Sequence, residues 1–272
     1  MYPGISTQVF GGRRLSAEHA SAIRESGFEA AEIYGMAPHF DLMDSKLVED
    51  AADFFSEAGV RASAVHAPYK ALDQRKGRNR RLSPASADPD VIALTMEYVN
   101  AAIRAAKRFG APAVILHCGL YGDIMNGSTV SNLVSFFTML EDTLAGSGLK
   151  IALENVATPV SEPSFLSRLL DKYNFEHFGI CLDIAHANIG GDPAETVRNT
   201  GRLLQIHVSD NNGKEDRHAI PFDGEIDWAP VMRALREKEY GGCFNFEPRG
   251  PETPDVMLSR CRTVYERLIV MR

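Results

Sequence analysis

Six short apolar runs in this chain each lead into one residue able to ligate a metal ion. They read SAVH at His66, VILH at His117, IALE at Glu154, ICLD at Asp183, LQIH at His207 and FNFE at Glu247. One histidine after an apolar run is ordinarily a hydrogen-bonded core residue. A lone carboxylate there ordinarily pairs with an arginine. The same placement in six runs calls for a common explanation. Carboxylates gathered in a dry pocket repel one another and are driven to protonate. A divalent cation removes that conflict, so the pattern points to metal chemistry. Carboxylate oxygens mixed with imidazoles suit Zn2+, Mn2+, Co2+ or Fe2+, whereas Mg2+ seldom chooses histidine. The chain has no thiolate cluster of the kind a structural zinc needs.

Such residues act together only if the fold brings the run ends to one place. Eight β-type runs are legible, at residues 4–10, 30–35, 61–69, 113–119, 150–156, 178–186, 203–210 and 242–248. Helix-patterned segments such as SAEHASAIRESG and VEDAADFFSEAG alternate with them. In the first, Ser16 is the expected N-cap and Gly27 the expected stop. The connection at 192–200 has the shortest helical pattern. Strands alternating with helices imply a parallel sheet. Eight of them in 272 residues favour a single closed (β/α)8 TIM barrel spanning 1–272 over an open doubly wound sheet. Gly11-Gly12 lacks the GxGxxG spacing of a dinucleotide fold. In a barrel the C-terminal strand ends share one mouth, where active sites are built.

Composition agrees with a globular enzyme, at 44% hydrophobic and 24% charged residues. No apolar run reaches the ~18 residues of a membrane span. The start, MYPGISTQVFGG, has neither a basic segment nor a signal-type apolar one, so a cytoplasmic location is expected. Cys118, Cys181, Cys243 and Cys261 are far apart and read as buried reduced thiols. A net charge of −7 gives no general affinity for polyanions. One basic stretch, RKGRNRR at 75–81, stands out. It reads either as a solvated loop or as a clamp for a phosphate or a nucleic-acid backbone. Trp228 reads as a packing anchor at a helix start, Asp210 as a loop cap, and Met36 and Met43 as core or pocket-lining residues.

The motifs HAPY, LHCG, ALENV, CLDIAHA, IHVSDNNGKEDRH with GEIDW, and FEPRG resemble the xylose isomerase-like TIM barrels. That superfamily includes sugar and sugar-phosphate isomerases and epimerases and the endonuclease IV nucleases. The resemblance runs from the first strand to FNFEPRG. By the epimerase branch it implies one divalent metal, Mn, Zn, Co or Mg, held by Glu154, Asp183, His207 and Glu247. Glu154 and Glu247 are then also the acid and base that move a proton at the carbon next to a ketone, through a metal-stabilised enediolate. His186, His66 and Arg217 are the implied substrate contacts. The implied partner is a small sugar or sugar phosphate rather than nucleic acid or membrane, and a homodimer is expected.

The endonuclease IV branch implies instead three zinc ions and cleavage of abasic DNA. Its further ligands correspond to His66, His117, His186, Asp216 and His218, with Tyr69 from HAPY also matching. Against it, HAPY is followed by KAL rather than LIN, and the fourth-strand histidine by CGL rather than a PGS-like turn. The segment from Asp210 to Trp228 also resembles many sugar isomerase-like proteins, although Phe222-Asp223 replaces their usual Gly-Glu or Gly-Gln. A metal-dependent dehydratase on a keto-sugar begins with the same proton abstraction and stays open. A non-catalytic carbohydrate-binding barrel would need neither glutamate beside a cation.

Overall fold

The computed structural model describes residues 1–73, 76–119 and 123–271. Eight parallel strands close into a barrel. They are β1 (Tyr2–Ser6), β2 (Ala30–Tyr34), β3 (Arg61–His66), β6 (Ala113–His117), β7 (Lys150–Glu154), β8 (Phe178–Asp183), β9 (Leu203–Val208) and β10 (Cys243–Phe246). Around the barrel they follow chain order, with β1 closing against β10. The labels β4 (Lys70–Asp73) and β5 (Arg78–Arg81) belong to a separate antiparallel hairpin after β3.

The period-2 alternation of each strand sorts its residues between two environments. Outward positions such as Ile33, Val65, Val114, Leu116, Ile151, Leu153, Ile180, Leu182, Phe244 and Phe246 belong to the main core, shared with the helices. A second apolar cluster holds the small residues Ala64, Ala152 and Cys181 with Ile115. These lie two residues before His66, Glu154, Asp183 and His117, respectively. The next inward position on each strand is therefore at the barrel's mouth.

The helices have the expected signals. Ser16 precedes α1 (Ala17–Glu25), and Gly27, at φ +85°, follows it. The helices α2 (Ser45–Glu57), α3 (Pro89–Phe109), α4 (Gly127–Leu144) and α5 (Pro163–Lys172) cover the next strands. Several of the β-type runs extend past their strands. The run 178–186 is not one strand: β8 ends at Asp183 and α6 (Ile184–Gly190) starts at once, because the Asp183 side chain accepts the His186 N–H at 2.6 Å as an N-cap. The weak helical pattern at 192–200 is the second short helix of that connection, α7 (Pro193–Asn199). The first run also overshoots, since Thr7–Phe10 is a 3-10 turn. The last helices are α8 (Trp228–Glu237) and α9 (Pro254–Val270). No helix among the described residues is long and apolar enough to cross a membrane.

The basic stretch is no bare loop, since residues 78–81 form a strand of the hairpin. Arg75 lies outside the described residues. Lys76 pairs with Asp90 at 2.6 Å, and Arg80 pairs with Asp88 and, at 3.6 Å, with Asp73. All four cysteines are buried and free.

Candidate metal centre

All six strand-end residues meet at the mouth. Lateral pairing sets His117 beside Glu154 and Asp183 beside His207. Together with three residues from the β8 and β9 connections, they form three groups of ligand atoms, each within 4.8 Å of one another. The groups are His66, His117 and Glu154; Glu154, Asp183, His207 and Glu247; and His186, Asp216 and His218.

Glu154 joins two groups by dividing its oxygens. Its Oε2 lies 3.0 Å from His66 Nε2 and 3.1 Å from His117 Nε2. Its Oε1 lies 3.2 Å from His207 Nδ1 and 3.7 Å from His186 Nδ1. In the third group, Asp216 is 3.5 Å from His186 Nε2 and 3.2 Å from His218 Nε2. His218 Nδ1 donates to the Glu247 carbonyl at 2.9 Å, which leaves Nε2 as its acceptor nitrogen.

Hydrogen bonding tests whether these residues fit a cation. Buried polar atoms are almost always paired. Asp183 Oδ2, His186 Nδ1, His207 Nδ1 and Glu247 Oε1 are buried with no hydrogen-bond partner among the described residues. Each belongs to one of the three groups. Asp183 makes the division plain, since its Oδ1 caps α6 while its Oδ2 is left for a cation. The donor set fits a divalent metal.

Electrostatics shows the same gap. Burial pushes the Glu154 carboxyl up, but His207 and His117 outweigh it and hold it well below the usual range. Burial pushes Glu247 up to about 8. Burial disfavours charge on His66 and His186, yet their carboxylate neighbours hold them at about 9 and about 10. Burial lowers His117. Without a cation, the carboxylates of the mouth are balanced by protons on imidazoles.

Above the centre is a cavity of about 540 Å3. Glu154, Glu247, His66, His117, His186, Asp216 and His218 line it, with Tyr34, Tyr69 and Gln8. Tyr69 stacks on His117, with ring centroids 5.1 Å apart and planes 5° apart. Four cations, Lys70, Arg81, Lys214 and Arg249, also line the cavity. Lys70 and Arg81 face each other across the hairpin. Arg217, expected at the substrate, is instead exposed and pairs with Glu215 at 2.7 Å, outside the cavity lining. Its neighbours Asp216 and His218 take the inward positions. Met36 is buried away from the lining and Met43 is exposed.

The loop after β9 is held from beneath by Asp210. This buried carboxylate accepts N–H groups from Asn211, Phe222, Ile226 and the Trp228 indole, at 2.9–3.1 Å. Asp210 therefore organises the loop, and Trp228 is the buried anchor that starts α8. A Cβ at Gly224 would stand 2.2 Å from Asp210 Oδ1, so only glycine fits there.

The sequence alone singles out neither the cavity cations Lys70, Lys214 and Arg249 nor Glu32. Glu32 is fully buried in β2, between Ala31 and Ile33. The sequence does hold a signal for it, a lone acid in the middle of the apolar run AAEIYG.

Comparison with known proteins agrees with this fold. The family described as Xylose isomerase-like TIM barrel matches residues 20–261. An L-ribulose 3-epimerase of Methylomonas sp. is 26% identical over 67% of this chain and 66% of its own length. A probable endonuclease 4 of Geobacillus sp. is 23% identical over 77% of this chain and 72% of its own. The crystal structure of a D-tagatose 3-epimerase-like protein superposes with a TM-score of 0.80 at 26% identity, covering 99% and 98% of the two chains.

Proposed function

Since this chain belongs to the xylose isomerase-like TIM barrel family, we propose that it is a divalent-metal-dependent isomerase or epimerase of a sugar or sugar phosphate. The observation that carries the reading is the sharing of one cluster by Glu154 and Glu247. They reach it from strands separated by β8 and β9 and both line the same cavity. Its volume falls within the ~300–1,000 Å3 typical of small-molecule sites. Lys70, Arg81, Lys214 and Arg249 favour a substrate with an acidic group, and a phosphate ester is the plainest case.

The chain's residues divide the work as follows. Glu154, Asp183, His207 and Glu247 hold the cation. A divalent cation there supplies charge stabilisation at the substrate carbonyl, typically several kcal/mol. One glutamate takes the proton from the carbon next to the carbonyl and the other delivers one to the opposite face, which inverts that carbon. In the metal-free protein the two differ, Glu154 being held low by His207 and His117 and Glu247 pushed up to about 8 by burial. His66 and His186 stand at the cavity wall, within reach of substrate hydroxyls. Tyr69 keeps the His117 ring in place.

The test is incubation of metal-loaded protein in D2O with ketoses and ketose phosphates, followed by NMR. Deuterium at the carbon next to the carbonyl, with an epimer or isomer as product, is expected. Deuterium with loss of water would make the enzyme a dehydratase. No exchange with any ketose would sink the reading.

A second reading rests on a specific observation, the separate His186–Asp216–His218 group. With His66 and His117 it completes the ligand set of a three-zinc phosphodiesterase. About three zinc ions per chain and cleavage of abasic duplex would support it.

A further inference from the structure

We infer that Glu32 is the positioning residue of the metal centre, selecting the nitrogen with which His207 meets the cation. The inference rests on the metal reading above and adds a residue that touches neither cation nor substrate. Glu32 is absent from the lining of the cavity.

A carboxylate fully removed from water costs several kcal/mol unless its partners are good. Glu32 has two, both on Oε2: His207 Nε2 donates to it at 2.9 Å and the Gln205 amide donates to the same atom, while Oε1 has no partner among the described residues. A carboxylate only accepts, and a neutral imidazole has one N–H to give. When a cation at the cluster keeps His207 neutral, Glu32 fixes that hydrogen on Nε2 and leaves the Nδ1 lone pair for the cation. Nδ1 points at the cluster, 3.2 Å from Glu154 Oε1 and 3.6 Å from Glu247 Oε2, and it has no hydrogen-bond partner. Glu32 thus serves His207 in two ways. It holds the ring and tautomer that present Nδ1, and its negative charge makes that nitrogen a better donor to a cation. Outer-shell partners of this kind change metal affinity ~10–100-fold.

Two substitutions separate charge from hydrogen bonding. Glu32→Gln keeps an oxygen acceptor for His207 and Gln205 but removes the charge. Glu32→Leu removes both and replaces a buried charge by an apolar group. The probe is Zn2+, with affinity read by competition with a chromogenic chelator. Expected losses are ~10-fold for Glu32→Gln and ~100-fold for Glu32→Leu. In zinc-loaded protein labelled with 15N-histidine, the buried Nε2–H signal of His207 persists in Glu32→Gln and is lost in Glu32→Leu. A merely structural role would lower the unfolding temperature of the metal-free variants without changing zinc affinity. Wild-type and both variants binding zinc equally would overturn the inference. Failure of the wild-type to bind Zn2+, Mn2+ or Co2+ would overturn the metal reading and this inference with it. If Glu32→Leu does not fold, Glu32→Gln alone decides by its affinity.

Discussion

Glu154 Oε2 lies 3.0 Å from His66 Nε2, on the side of the carboxylate turned away from His207. Burial favours the neutral acid, but His207 and His117, the latter at 3.1 Å, outweigh it and hold Glu154 in its charged form. How Glu154 works therefore depends on what its second oxygen meets. If one cation binds at Glu154, Asp183, His207 and Glu247, His117→Ala leaves about one metal per chain. It also moves the acid limb of the kcat/KM profile to higher pH, because Glu154 has lost a partner that keeps it ionised. Elemental analysis and a pH profile read both. Loss of one metal of three in this variant would favour the phosphodiesterase.

Glu154→Gln and Glu247→Gln are each expected to lower turnover by ~10²–10⁴-fold, the usual worth of a positioned acid or base. Circular dichroism of both should match wild-type, since the barrel core does not depend on either. With two bases, each variant has one damaged proton transfer, so deuterium wash-in should become unequal for the two epimers. Full turnover in either variant would remove the two-carboxylate mechanism.

The metal-free protein should lose stability as the medium becomes more alkaline. His66 and His186, at about 9 and about 10, lie above their ordinary value of 6.5, and Glu247, at about 8, lies above its ordinary 4.5. A group whose folded-state pKa is raised contributes stability below its unfolded value and loses it as pH rises through the folded one. The histidine contributions are thus present below pH 6.5 and fade toward pH 9–10, while that of Glu247 fades from pH 4.5 to 8. Thermal unfolding of chelated protein from pH 6 to 10 checks this. A saturating divalent metal should flatten the curve, with protons released on binding. A metal-free protein that gains stability over that range would contradict the charge balance argued for the mouth.

Asp210→Ala should destabilise by at least ~3 kcal/mol, because it strands several buried donors at once. Asp210→Asn keeps one accepting oxygen and should cost less. Gly224→Ala should resemble Asp210→Ala, since its Cβ displaces the same carboxylate. Denaturant titration ranks the three. If Asp210→Ala unfolds at the wild-type midpoint, the loop after β9 has some other anchor.

The sequence by itself determined the barrel and six of the residues at its mouth. The reason is the strand's period of two. On a parallel strand with one face in the barrel and the other under helices, the last inward position is set by counting from the apolar run. His66, His117, Glu154, Asp183, His207 and Glu247 could be read in that way. His186, Asp216 and His218 came from resemblance, because no periodicity governs a loop. For the same reason, nothing local distinguished Asp216 and His218, which turn inward, from Arg217 between them, which pairs with Glu215.

Tertiary structure alone decided how the ligands divide into three groups and which atoms face which. It also decided that residues 78–81 pair with residues 70–73 as a hairpin at the cavity edge. Glu32 is the clearest case. An acid inside an apolar strand signals an unusual partner, but His207 is 175 residues away in the chain. Only closure of the barrel brings the two together, since it places β2 and β9 across one interior. A carboxylate can be buried there because a distant imidazole and amide both donate to its Oε2 in place of water.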